Sequence, residues 1–224
     1  MSNLIFTDTF FEINLCMLGT YILSYFLIND VISRTKYPIN KRSNLVTRII
    51  SCIHAFLSTY GSYLYVNDYI GYDEWNGKYI MISRMYIIYD TMIILLNFNA
   101  KELIHHIVFY IGMTTNIPLI SKIAAKALFA ELSNFNLYAG WFLLSIGKNN
   151  TVLFKINAFM LLLVYFFFRI VNYGLLTYET LNLIGFQFRF LVIFSLWIMN
   201  MFWFRTLIYK AINMYQVKSI KNNE

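Results

Sequence analysis

The sequence predicts an all-α polytopic membrane protein of about seven transmembrane helices, on three observations. Composition is the first: of 224 residues, 59% are hydrophobic, 19% aromatic and only 13% charged, where soluble domains are roughly half apolar and about a quarter charged. Second, apolar runs approaching the ~20 residues needed to cross ~30 Å of hydrocarbon recur along almost the whole length. Third, the Lys and Arg residues behind the net charge of +7 sit in the polar clusters between those runs. In that position they orient a chain in the bilayer, and a nucleic-acid partner is not expected.

The first apolar run covers residues 10–29 and ends at Asn29-Asp30. Its N-terminal side lacks a basic region and carries Asp8 and Glu12, so this span is expected to stay in the protein. A basic loop with Arg34, Lys36, Lys41, Arg42 and Arg48 follows, and Pro38 interrupts any helix there. The second run, about 47–66, sets Ser51, His54, Ser58, Gly61 and Ser62 on one side of a helix. A stripe of small residues is how membrane helices approach closely. A loop with Asp68, Asp73 and Glu74 leads into the third run, about 79–97, where Tyr86, Asp90 and Asn97 share a face.

Beyond a turn at Asn99-Ala100-Lys101, the fourth run carries the adjacent pair His105-His106 and ends near Asn116-Ile117-Pro118. The fifth starts near Ser121 and bears Glu131, Asn134, Tyr138, Trp141 and Ser145 as a polar stripe down one face. Gly147-Lys148-Asn149-Asn150 forms a turn, after which the sixth run holds Tyr165, Arg169 and Asn172 on one side. A loop with Glu179 leads to the seventh run, about 188–209, with Asn200 and Trp203, and a polar tail carries Lys218 and Lys221. Cys16 and Cys52 fall in apolar segments without metal or redox spacing and are read as free thiols.

Charge orients the spans. With the basic loop after the first span cytosolic, the turns at Lys101 and Lys148 and the tail are cytosolic too, and the acidic loops at Asp73 and Glu179 lie outside. Lys122 and Lys126 run against this alternation. The sequon Asn149-Asn150-Thr151 is cytosolic in this arrangement, so no glycan is expected on Asn149.

Helical rise converts positions into depth. His54, Asp90, His105 and His106 fall roughly 7 to 13 Å into the membrane from the cytosolic ends of their spans, with Asn136 and Asn200 within about a turn of that level. Ionisable groups in a bilayer face a bundle interior and pair. Neighbours on a helix point ~100° apart, so His105 and His106 do not chelate one ion together. Instead one imidazole is expected to act as base or nucleophile while a carboxylate, Asp90 or else Glu102, fixes its tautomer. Structural interhelical hydrogen bonds are the plainer alternative for both. His54, on its small-residue stripe, reads as a packing group; Glu131 and Arg169 fall in the outer half, with a structural ion pair as the simplest account and a lipid-headgroup contact as the sharper one. The aromatic run Tyr165-Phe166-Phe167-Phe168 reads as lipid-facing or core.

Several motifs then occur in one order: Arg48-Ile-Ile-Ser51-Cys-Ile-His54-Ala55, Tyr86-Ile-Ile-Tyr89-Asp90, His105-His106, Glu131-Leu132-Ser133-Asn134, Trp141-Phe142, Phe167-Phe168-Arg169-Ile170 and Trp203-Phe204. From about Arg42 to Tyr209 the chain resembles the TLC-domain family of polytopic endomembrane proteins, which includes ceramide synthases. The resemblance implies a six-helix core in residues 42–210, preceded in 1–41 by one extra helix and a basic cytosolic loop and followed in 211–224 by a short polar cytosolic tail. In ceramide synthases the double histidine lies in a membrane tunnel where an acyl group passes from acyl-CoA to a sphingoid amine. Carried over, that makes His105 and His106 catalytic candidates. The polar positions of the spans add Asp90 beside them, and His54, Glu131, Asn134, Asn136 and Asn200 as candidates for substrate binding. Ceramide synthases have a further His-Asp and acidic residues after the pair, whereas this chain has no histidine after His106 and no aspartate after Asp90. Its Glu131-Leu132-Ser133 looks more like the smaller TLC-domain proteins implicated in membrane-lipid composition.

The expected function is membrane-lipid handling, with acyl transfer from acyl-CoA in a histidine-containing cavity as its sharpest form and non-enzymatic lipid binding, transport or regulation as the alternative. Membrane lipids are the expected partners, and no cofactor or metal is called for. A metal-dependent desaturase or hydroxylase lacks ligands, since the chain has three histidines and no repeated His-x-x-His-His spacing. The family points to the endoplasmic reticulum or another endomembrane, although the tail Lys218-Ser-Ile-Lys221-Asn-Asn-Glu224 is not a clear paired-lysine signal. Heavy use of Asn, Ile, Lys, Phe and Tyr suggests an AT-rich genome, and if that genome is viral the address becomes a host membrane.

Overall fold

The computed structural model describes residues 2–35, 37–97, 100–113 and 118–221, with side chains for 15–213 apart from 36, 97–99, 101 and 114–119. The side chains of Asp8, Glu12, Lys36, Asn97, Asn99, Lys101, Asn116, Ile117, Pro118, Lys218 and Lys221, used in the sequence reading, lie outside the described residues. Described elements are all helical and fall into two compact units, Met1–Glu131 and Leu132–Glu224. Five helical stretches are long and apolar enough to cross a membrane: Leu15–Ser33, Ile39–Val66, Tyr72–Leu96, Val152–Ile184 and Phe188–Asn213. The fourth expected span is a shorter apolar helix, Glu102–Met113.

In the first unit, α1 (Ser2–Ser33) turns Tyr21 and Tyr25 inward and Leu23, Phe26, Leu27 and Val31 outward. Tyr21 lies against the rings of Tyr86 and Tyr89 at 5.8 and 5.7 Å, and Tyr25 donates to or accepts from Ser43 at 2.9 Å. Pro38, with its φ held at −58°, ends the basic loop and hands over to α2 (Ile39–Val66). The loop is therefore shorter than expected: Lys41, Arg42 and Arg48 are helical, in keeping with the good helix propensity of Lys and Arg.

The predicted stripe of α2 is its buried face: Ser51, His54, Ser58, Gly61 and Ser62 are all inside. Gly61 is required there, because a Cβ would fall within the ring of Tyr79. Tyr79 belongs to a π-helical segment, Trp75–Ile80, between α3 (Tyr72–Glu74) and α4 (Met81–Asn97). The third span thus starts earlier than expected, and Asp73 and Glu74 are not in a loop but in its first turn, where acidic side chains complement the helix dipole. Trp75, 1% exposed, anchors that start by stacking on Tyr65 at 4.7 Å.

Next come α5 (Ala100–Met113) and α6 (Pro118–Leu128). Arg84 of α4 donates through Nε to the carbonyl of Met113 at 3.1 Å, supplying a cationic cap where the last carbonyls of α5 lack helical partners. Tyr65 and Ser121 share a hydrogen bond of 2.7 Å between α2 and α6, and Lys122 reaches Asp68 at 2.6 Å. The fifth expected span is interrupted: a 3₁₀ turn, Phe129–Glu131, separates α6 from α7 (Leu132–Ser145), and the unit boundary falls there.

The second unit holds α7 to α10. Thr151 caps α8 (Val152–Tyr165) by accepting from the Phe154 N–H at 3.2 Å. A second π-helical segment, Phe166–Val171, joins α8 to α9 (Asn172–Ile184). Glu179 lies inside α9 and not in a loop; the turn comes at Gly185, whose φ of +68° favours glycine. Then α10 (Phe188–Lys221) packs Phe190, Val192, Ile193, Leu196 and Asn200 inward. Gly174 lets the Trp197 ring come close, and the Trp197 Nε1–H donates to the Ile170 carbonyl at 3.0 Å. Phe166 and Phe167 face outward while Tyr165 is buried. Since lipid tails are as apolar as these side chains, association rests on van der Waals fit and such hydrogen bonds, not on apolar burial.

Candidate functional site

Among the described residues, each unit contains a buried polar cluster. In the first, α4 and α5 bring Asp90, Thr91 and His106 together. The Nε2 of His106 lies 3.4 Å from Asp90 Oδ2, and its Nδ1 lies 3.0 Å from Thr91 Oγ1. Successive residues of α4 diverge by ~100°, which lets Asp90 and Thr91 straddle a single imidazole. With Asp90 ionised and so only an acceptor, a neutral ring would carry its proton on Nε2, and Nδ1 would then accept from the Thr91 hydroxyl. His106 is 9% exposed.

His105 is half-buried, with its ring 5.8 Å from those of both His106 and Phe109. Glu102, the other carboxylate weighed for the pair, is exposed in the first turn of α5. Behind Asp90 stands Tyr86, whose hydroxyl makes a side-chain hydrogen bond to that carboxylate and another, 2.7 Å long, with Ser51. The ring of Tyr86 is stacked on His54 with centroids 3.9 Å apart and planes inclined by 9°. His54 is sealed at 1% exposure; neither ring nitrogen has a hydrogen-bond partner among the described residues, and Glu131 Oε2 lies 4.0 Å from Nδ1.

That contact sets Glu131 beside His54, where the sequence reading expects the two at different depths. His54, Asp90, His106 and Glu131 therefore form one polar cluster within the first unit.

In the second unit the π-helical segment delivers Arg169, 7% exposed, into a cage that includes the side-chain oxygens of Ser133, Asn134 and Asn200. Its Nε donates to Ser133 Oγ at 2.7 Å, Nη2 to Asn134 Oδ1 at 3.0 Å and Nη1 to Asn200 Oδ1 at 3.3 Å, with the guanidinium 5.3 Å from the Tyr165 ring centroid. Tyr165 also donates to Asn200 Oδ1 at 3.2 Å. Asn134 and Asn200 thus meet around Arg169. Asn136 does not join them through its backbone, whose carbonyl accepts from Asn157 Nδ2 at 2.8 Å and ties α7 to α8.

Thr91 was missed in the sequence because a lone threonine beside an aspartate carries no periodic signal. Arg169 stood out as a charge in an apolar run, but its partners could not be read from spacing across three elements. Among the described residues no group of three or more His, Cys, Asp or Glu side chains is arranged to hold a metal ion. A family model, the TLC domain, matches residues 44–209. No curated protein matches the chain.

Proposed function

Because the chain belongs to the TLC-domain family, we propose that this integral membrane protein handles lipid acyl chains and transfers an acyl group from acyl-CoA to an amine, with His106, His105 and Asp90 at the reacting centre. Its address in this reading is the endoplasmic reticulum or another endomembrane. The observation that carries the proposal is the doubly held imidazole of His106, oriented by Asp90 on one side and meeting a hydroxyl on the other. A base with its tautomer fixed by a carboxylate is what acyl-transfer chemistry requires. His54, Glu131, Asn134, Asn136 and Asn200 are the proposed substrate-side residues.

Purified protein in lipid nanodiscs, given labelled long-chain acyl-CoA and a panel of lipid amines, is expected to release CoA and form an amide. Absence of CoA release and amide across the panel would remove the acyl-transfer reading. A second reading draws on the same observation, since an imidazole with a polar group beside each nitrogen also serves as an interhelical tie. In that case the protein binds or carries lipid without chemistry. Lipid copurifying equally with wild type and with a His105→Ala/His106→Ala variant that remains folded would favour it.

A further inference from the structure

The hydroxyl of Thr91 sits where a nucleophile would sit. Helical threonines can return their hydroxyl to the carbonyl four residues back. Thr20, Thr47, Thr177, Thr180 and Thr206 do so here, at 2.9, 3.1, 2.7, 2.7 and 3.0 Å. Thr91 does not: its hydroxyl hydrogen bond goes to His106 Nδ1 at 3.0 Å. The other nitrogen of that ring faces Asp90 at 3.4 Å, and Asp90 is in turn held by Tyr86, which Ser51 holds at 2.7 Å. Hydroxyl, imidazole and carboxylate stand in series, with the carboxylate itself braced, in the order of groups that activates a nucleophile. Thr91 is half-buried, unlike the fully buried His54.

We propose that Thr91 is a covalent acyl carrier: a Thr–His–Asp centre in which Thr91 Oγ1 attacks the acyl thioester, with His106 as base and Asp90 as the residue that orients it. The inference rests on the acyl-transfer reading above. In the first half, His106 Nδ1 takes the Thr91 proton as the Oγ1–C bond forms. The C–S bond then breaks, and the imidazolium returns the proton to the sulfur, releasing CoA thiol and leaving an ester on Thr91. In the second, an acceptor amine gives its proton to His106 as nitrogen attacks the ester carbonyl. Thr91 Oγ1 leaves with that proton, the amide departs, and the centre is restored without any oxidant or reductant.

The test uses full-length protein in nanodiscs with labelled long-chain acyl-CoA, acid-quenched and mapped by peptide mass spectrometry, alongside CoA release. The expected adduct is an ester on Thr91 that survives neutral hydroxylamine, which strips an acyl-imidazole. Thr91→Val, close to isosteric, should abolish the adduct and lower CoA release by about a thousandfold, by analogy with loss of a nucleophile from a triad. Thr91→Ser should retain both to within about tenfold, which a purely structural role for the threonine methyl would not predict. CoA release by Thr91→Val within a few-fold of wild type, or an adduct on His105 or His106 instead, would overturn the inference and leave acyl transfer standing. No CoA release from folded wild type would overturn both.

Discussion

At the scale of single residues, the two polar clusters make different demands. Asp90 Oδ2 lies 3.4 Å from His106 Nε2, so Asp90→Asn keeps shape while removing the charge that favours a proton on Nε2. The expected result is a loss of CoA release of about 10²- to 10⁴-fold with an unchanged detergent-stability profile, as for the equivalent change in a hydroxyl–imidazole–carboxylate triad. Arg169 is another matter, because three acceptors on α7 and α10 depend on its fork. Arg169→Lys keeps the charge but cannot reproduce three divergent donors. It is expected to cost about 2–4 kcal/mol, since buried acceptors are left unsatisfied. Thermal unfolding followed by size-exclusion chromatography measures this, and a Lys variant as stable as wild type would show that the fork geometry is not what holds the cluster.

At the scale of elements, close approach is set by what is small. The stripe on α2 allows the Trp75–Ile80 segment to press Tyr79 against Gly61. Gly61→Ala is expected to destabilise the protein by about 1–3 kcal/mol through overpacking. Removing the clash with Tyr79→Ala should make the double variant less unstable than the sum of the singles, a coupling read from a double-mutant cycle. Strict additivity would mean that the two residues do not compete for one space. The two π-helical segments follow a similar logic: a widened turn re-aims side chains, and the second of them carries Arg169 into its cage and offers the Ile170 carbonyl to Trp197.

At the scale of the whole chain, orientation in the membrane follows from where positive charge collects. Single cysteines introduced at Gly71 and Gly147, with Cys16 and Cys52 replaced by Ala, are expected to label from opposite sides with an impermeant maleimide: Gly147 from the cytosol and Gly71 from outside. Labelling of both from one side would overturn the alternation, as would a glycan on Asn149.

The sequence alone determined the class of molecule, the helix order and the buried face of α2. Each depends on local quantities, namely the length of an apolar run and a three- to four-residue spacing. It also led to the expectation that Asp90 and the histidine pair occupy similar depths, because helical rise is constant. Only the tertiary structure decided that His106 and not His105 meets Asp90, that Thr91 completes the contact and that Glu131 stands beside His54. It likewise decided which oxygens surround Arg169. Rotation about a helix axis and register between helices leave no period in a single sequence. They are set by packing, by small residues that admit a neighbour, and by the departures from α-helical winding at Trp75–Ile80, Phe129–Glu131 and Phe166–Val171.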